Sequence, residues 1–112
     1  MERYRLGEFE EVVLLTVGIL YDNAYGVSIR TDITERLNRK VSIGALQSSL
    51  RRLEQKGYVK TRQGEKSTKR GGRPKLYFSL TAEGQAALEF TREVRNSMWN
   101  AIPQSALKIN GY

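Results

Sequence analysis

At Gly57 the apolar rhythm of the chain changes. Upstream, Ile43, Leu46, Leu50 and Leu53 recur at spacings of three, four and three, the stripe of a single helix face. Ser42 precedes that stripe as an N-cap residue, and Gly57 follows it where a left-handed residue ends a helix. Downstream, Tyr58 to Gln63 is β-prone, and Leu76, Phe78 and Leu80 alternate with Tyr77 and Ser79 as in a half-buried strand. Between the strand-like runs, Gly64 to Pro74 is too polar to bury and too glycine-rich for a helix. A helix to about Lys56 followed by a hairpin with a flexible basic loop is predicted.

Helical periods occupy the rest of the chain. From Glu8 to Tyr21, Phe9, Val13, Val17 and Leu20 share one face, while Val12, Leu14, Leu15 and Ile19 spread round the others. A helix apolar nearly all round is buried on more than one side, and a domain this small covers one side easily; the second calls for another subunit. Asp22-Asn23 breaks that helix. A second helix follows Tyr25-Gly26, with Ile29, Ile33 and Leu37 as a narrow core stripe, and Val41 marks a short extended step. Thr81 caps a last helix carrying two apolar stripes: Ala87, Phe90, Val94, Met98 and Ala101, then Leu88, Trp99 and Ile102. Pro103 ends it, and the remaining nine residues read as a frayed tail.

Charge is segregated along this order. Arg51 to Lys75 holds ten basic residues against Glu54 and Glu65, a local +8 within a chain of net +7. A polyanion is the partner such a segment fits, because each neutralised phosphate releases a counterion. The chain has no cysteine and no histidine, which removes the common nucleophile–base pairs and most zinc sites. Its twelve acids fall mostly at positions that read as solvated helix faces. The expectation is therefore a non-enzyme without metal or cofactor. No apolar run approaches the roughly 18 residues of a membrane span, and the N-terminus lacks a signal-peptide core, so a cytoplasmic location without membrane contact is expected.

Three helices, a strand, a basic hairpin, a strand and a helix make a mainly α fold with a small two-stranded β wing: a winged helix-turn-helix plus a C-terminal dimerisation helix. Residues 1–81 form the DNA-binding unit, 82–103 the dimerisation helix and 104–112 a tail. The third helix then enters the major groove of double-stranded DNA. Ser42, Gly44, Gln47, Ser48 and Ser49 are its small or polar candidates for close approach and base contact, with Arg51 and Arg52 for phosphates. In the wing, the candidates are Lys66, Lys69, Arg70, Arg73 and Lys75. Gly72-Arg73-Pro74 resembles an AT-hook core, in which an arginine on extended backbone lies in a narrow minor groove. Phe9, Val12, Leu15 and Ile19 of the first helix, with Leu88, Phe90, Val94, Met98 and Ile102 of the last, are the candidates for a homodimer interface.

Four segments resemble the PadR-type regulators. They are Leu6-Gly7-Glu8-Phe9-Glu10; Ala24-Tyr25-Gly26; Ser42-Ile43-Gly44-Ala45-Leu46 with Leu50, Leu53-Glu54 and Lys56-Gly57-Tyr58; and Arg70-Gly71-Gly72-Arg73-Pro74-Lys75 with Tyr77-Phe78 and Leu80-Thr81. The resemblance spans nearly the whole chain. It implies a transcriptional repressor, dimeric through its last helix with help from its first, that reads a near-palindromic site and is released by a small aromatic or hydrophobic effector. Some relatives line an interface pore with an aromatic of the last helix, which makes Trp99 the effector-contact candidate; simple packing of Trp99 in the dimer core is the alternative. The family often carries tyrosine where Gln47 stands. With so short a C-terminal region, an effector is expected at the dimer interface or nowhere. Two other readings fit the same fold: a non-specific or architectural DNA binder, and a protein-interaction module. An RNA-binding winged helix would need exposed aromatics, and Tyr25, Tyr58 and Tyr77 each read as partly core.

Overall fold

The computed structural model describes residues 4–66 and 74–107. Helix α1 spans Glu8–Leu20 and runs through a 3₁₀ turn, Tyr21–Asn23, towards α2, Gly26–Leu37. Helix α3 is Ile43–Gln55, strands β1 and β2 are Val59–Lys66 and Pro74–Leu80, and α4 is Ala82–Ala101. The strands form one antiparallel ladder in which Val59 faces Leu80 and Gln63 faces Leu76. The core lies where α1, α2, α3 and the base of the hairpin meet, around Val13, Leu14, Val17, Ile29, Ile33, Leu46, Leu50, Leu53 and Phe78.

The helix ends follow the local chemistry. The Ser42 hydroxyl accepts from the Ala45 amide at 3.0 Å and starts α3. At its other end Gly57 takes φ +80°, the Gly57 amide donates to Glu54 O and the Tyr58 amide donates to Leu53 O. That pairing is a Schellman motif, which only a residue tolerant of the left-handed region closes cheaply. Thr81 caps α4 by accepting from the Gly84 amide, and its hydroxyl donates to Gly57 O at 2.6 Å. One threonine thus ties the start of α4 to the end of α3. Gly84 sits directly on the Tyr58 carbonyl, and a Cβ there would also come within 2.9 Å of Leu80 Cδ1.

The structure departs from the sequence reading at several points. The hairpin loop is shorter than Gly64–Pro74, because Gly64 to Lys66 continue β1 and Pro74 opens β2. The ladder passes Gly64 through a register irregularity, with the Tyr77 ring so near that a Cβ at Gly64 would lie 2.6 Å from Cε1. Leu37 and Ile43, read as core, are exposed. Each stands at a helix terminus, beyond the patch its neighbours cover. The expected frayed tail contains a short helix, α5, Gln104–Leu107, where Pro103 supplies an acceptor for the Ala106 amide.

The largest departure is Glu10. It lies at i−3 and i−7 from Val13 and Val17, on the buried face of α1, and is itself buried. Its Oε1 accepts from the Gly7 amide at 2.7 Å and from Lys56 Nζ at 2.8 Å. Its Oε2 accepts from Arg52 Nε at 2.9 Å. Lys56 also donates to the Arg5 carbonyl. Burial by itself raises the carboxyl pKa. Hydrogen bonds from Lys56, the Gly7 amide and Arg52, with the charge of Lys56, outweigh it and hold Glu10 below the ordinary glutamate value of 4.5.

Two outcomes follow for stability. Gly84→Ala overpacks the α4–β2 corner and should cost about 1–3 kcal/mol, read as a lower denaturation midpoint. Glu10→Gln leaves two cations of α3 without their counter-charge and should cost about 1–3 kcal/mol, moderated because Arg52 is half exposed. The folded pKa of Glu10 lies below its unfolded value, so its contribution is complete above the unfolded value and fades as pH falls through the folded one. The gap between wild type and Glu10→Gln in thermal melts should therefore be full near pH 7 and shrink below about pH 4.

Candidate nucleic-acid interface

Helix α3 turns Leu46, Leu50 and Leu53 inward, which leaves a polar face outward. Ser42, Gly44, Gln47 and Arg51 are exposed on it and Ser48 is partly exposed. A Cβ at Gly44 would meet nothing within 4 Å, so the first turn of α3 presents bare backbone to whatever approaches it. Ser49, expected on this face, is instead buried at 1% exposure, beside Arg52 Nη2 at 3.4 Å. It follows Leu46 by three residues and so shares the covered side. Arg52 is partly exposed but committed to Glu10, so it serves first as a joint between α3 and α1.

The strands of the wing are latched to the start of α2. The Phe78 amide donates to Ala24 O at 2.8 Å, and Tyr25 and Tyr77 form an isolated antiparallel bridge with rings edge to face, centroids 5.5 Å apart. Two cations seal the latch. Lys75 Nζ lies 4.1 Å from the Tyr25 ring centroid, and the Arg62 guanidinium lies 4.5 Å from the Tyr77 centroid while donating to Asp22 O. Lys75 is thereby fixed beside α3. Lys66 is described by its backbone alone, opposite Pro74. Lys69, Arg70 and Arg73 lie outside the described residues.

Arg62, Tyr25, Tyr77 and Glu10 were not read as working residues from sequence. Glu10 carried a signal, since its spacing from Val13 and Val17 puts it on the core face. The pairing of Tyr25 with Tyr77 brings together residues 52 positions apart and has no local signature.

A second surface lies along α4. Phe90, Val94, Met98, Trp99 and Ile102 are exposed, and so are Leu15 and Ile19 of α1. Phe9, Val12 and Leu88 are different, because each is partly buried against the core of its own chain. Arg95 Nη2 donates to Glu11 Oε1 at 2.9 Å and joins the two helices. No helix among the described residues is long and apolar enough to cross a membrane.

Comparison with known proteins agrees with this architecture. Residues 14–90 match the Transcriptional regulator PadR-like family. No curated protein matches the sequence. Among solved structures, a PadR-like transcription factor from Bacteroides fragilis superposes with TM-score 0.65 at 26% identity, covering 85% of this chain and 89% of that one. A PadR family regulator from Clostridium difficile R20291 gives TM-score 0.62 at 26% identity, over 80% and 91% of the two chains. The hsRosR-SG complex structure, of the H. salinarum protein RosR, gives TM-score 0.73 at 25% identity, over 96% and 88%. Members of this family are transcriptional regulators. With a polar helix face beside a latched wing, and a family match over most of the fold, the chain belongs to the PadR-like family of DNA-binding transcriptional regulators.

Proposed function

We propose that the protein is a dimeric repressor that reads an inverted-repeat operator and is released by a small hydrophobic or aromatic effector. One observation carries the reading: a single chain has an uncovered polar face on α3 and an uncovered apolar face along α4. An isolated chain leaves Phe90, Val94, Met98 and Ile102 in water at near four-residue spacing, and two copies crossing there remove that cost. Two-fold symmetry then presents two α3 helices to successive major grooves. In this arrangement residues 1–81 are the DNA-binding unit and 82–103 the dimerisation helix. Gln47 and Ser48 read bases, Arg51 and Lys75 hold phosphates, and Arg73 of the Gly-Arg-Pro segment enters the minor groove. Trp99, exposed on α4, lines the effector site between subunits.

Selection of random duplexes by the purified protein tests the operator. Enrichment of an inverted repeat is expected; binding without enrichment would leave an architectural role. Sedimentation should show a dimer at micromolar concentration, and Met98→Glu should yield monomers that keep their helical circular dichroism. Arg73→Ala should weaken duplex binding by about tenfold while leaving the dimer intact.

A further inference from the structure

Two adjacent glutamates in the first turn of α1 hold different helices. Successive residues of a helix point about 100° apart, so Glu10 and Glu11 face separate neighbours. Glu10 takes Arg52 of α3 and Lys56 at its C-cap. Glu11 takes Arg95 of α4, Oε1 to Nη2 at 2.9 Å. Helix α4 runs back along α1: Leu80, just ahead of it, lies against Gly18 towards the end of α1, and Arg95 reaches Glu11 near the start. The other contacts that aim α4 lie nearer its root. Thr81 caps it, Ala87 is buried, and the Phe90 ring lies 5.8 Å from the Tyr4 ring. Among the described residues, Arg95–Glu11 is the outermost hydrogen bond or ion pair between α4 and the rest of the chain. Residues 96–101 are exposed beyond it.

We propose that Glu10 and Glu11 together set the spacing of the two recognition helices in the dimer, and so select which separation of DNA half-sites the protein accepts. This role rests on the dimeric, inverted-repeat reading above. Both are positioning residues, acting through α3 and α4. The dimer contact lies on α4 and the DNA contact on α3. Thr81 joins the roots of these helices at Gly57, which makes that corner a pivot; the angle about it is set farther out. Eleven residues separate Gly84 from Arg95, about 16 Å at the usual helical rise. A tie that far from a pivot restrains the angle much more than an equal tie at the root. Glu11 supplies the tie, and Glu10 beside it passes the restraint to α3. Two-fold symmetry repeats the same angle in both subunits, so any slack counts twice between the two α3 helices. On a duplex, one base pair moves a half-site by about 3.4 Å along the axis and about 34° around it. With Arg95 61% exposed, the ion pair adds little to stability, and its worth lies in aim rather than adhesion.

The test rebuilds the selected inverted repeat with its spacer one or two base pairs shorter or longer and measures affinity for each duplex at fixed salt. Wild type should prefer its own spacing by about tenfold or more over a shift of one base pair. Glu11→Gln and Arg95→Gln should each cut that preference to about threefold or less, while thermal melts and sedimentation stay as in wild type. The double variant should be no more relaxed than either single one, because both remove the same tie. Glu10→Gln frees α3 from the other side and should relax the spacing too; it also costs stability, so the Glu11 and Arg95 variants carry the test. An unchanged preference in those variants would overturn the proposal. So would a loss of affinity shared equally by every spacer, the mark of a purely structural role, or relaxation that adds up in the double variant. A wild-type protein that enriches no inverted repeat would remove the dimeric reading itself, and the spacing role with it.

Discussion

The buried carboxylate of Glu10 fixes the angle at which α3 leaves the core. Leucines along α3 supply adhesion, but apolar contact has little direction, and a helix held only by Leu46, Leu50 and Leu53 has freedom to roll. Charged hydrogen bonds are directional, and Glu10 grips α3 at two points one turn apart, Arg52 and Lys56. Neither cation can leave without stranding a buried negative charge. The lock is built from the first turn of α1, whose own amide at Gly7 closes onto the same carboxylate. Rotation of α1 and rotation of α3 are thus mechanically linked.

Two further joints complete the frame. Thr81 binds the start of α4 to the carbonyl of Gly57, and the Tyr25–Tyr77 bridge holds the wing to the start of α2. The Glu10 and Thr81 joints sit at helix ends, where backbone groups lack helical partners, whereas Tyr77 reaches Tyr25 from the middle of β2. The faces left uncovered are the outer side of α3, the gap beside the wing, and the length of α4.

The order of elements was legible because each is short, strongly periodic and punctuated by a residue with one good reason to be there. Ser42, Gly57 and Thr81 cap as their chemistry requires. What escaped was tertiary. Glu10 falls on the core face of α1, but the two cations that let a carboxylate stay there, Arg52 and Lys56, lie more than forty residues away. Ser49 looked like a reader of DNA because serine is indifferent to burial once its hydroxyl has a neighbour. Leu37 and Ile43 continued their stripes on paper, yet a stripe does not say where the covering helix stops. The length of β1 was hidden by Gly64, whose usual meaning in a strand is interruption; here it makes room for an aromatic ring.

Helix α4 leaves the body of the molecule soon after Thr91, and residues 92–101 are exposed on every side. This is a cantilever about 15 Å long at the usual helical rise, tied back to its own chain at Arg95 by the ion pair with Glu11. Peptide helices of that size are marginal in water. Within the single chain everything past Arg95 is held by the helix's own hydrogen bonds, so local sequence governs the order of that segment more than of any other part of α4.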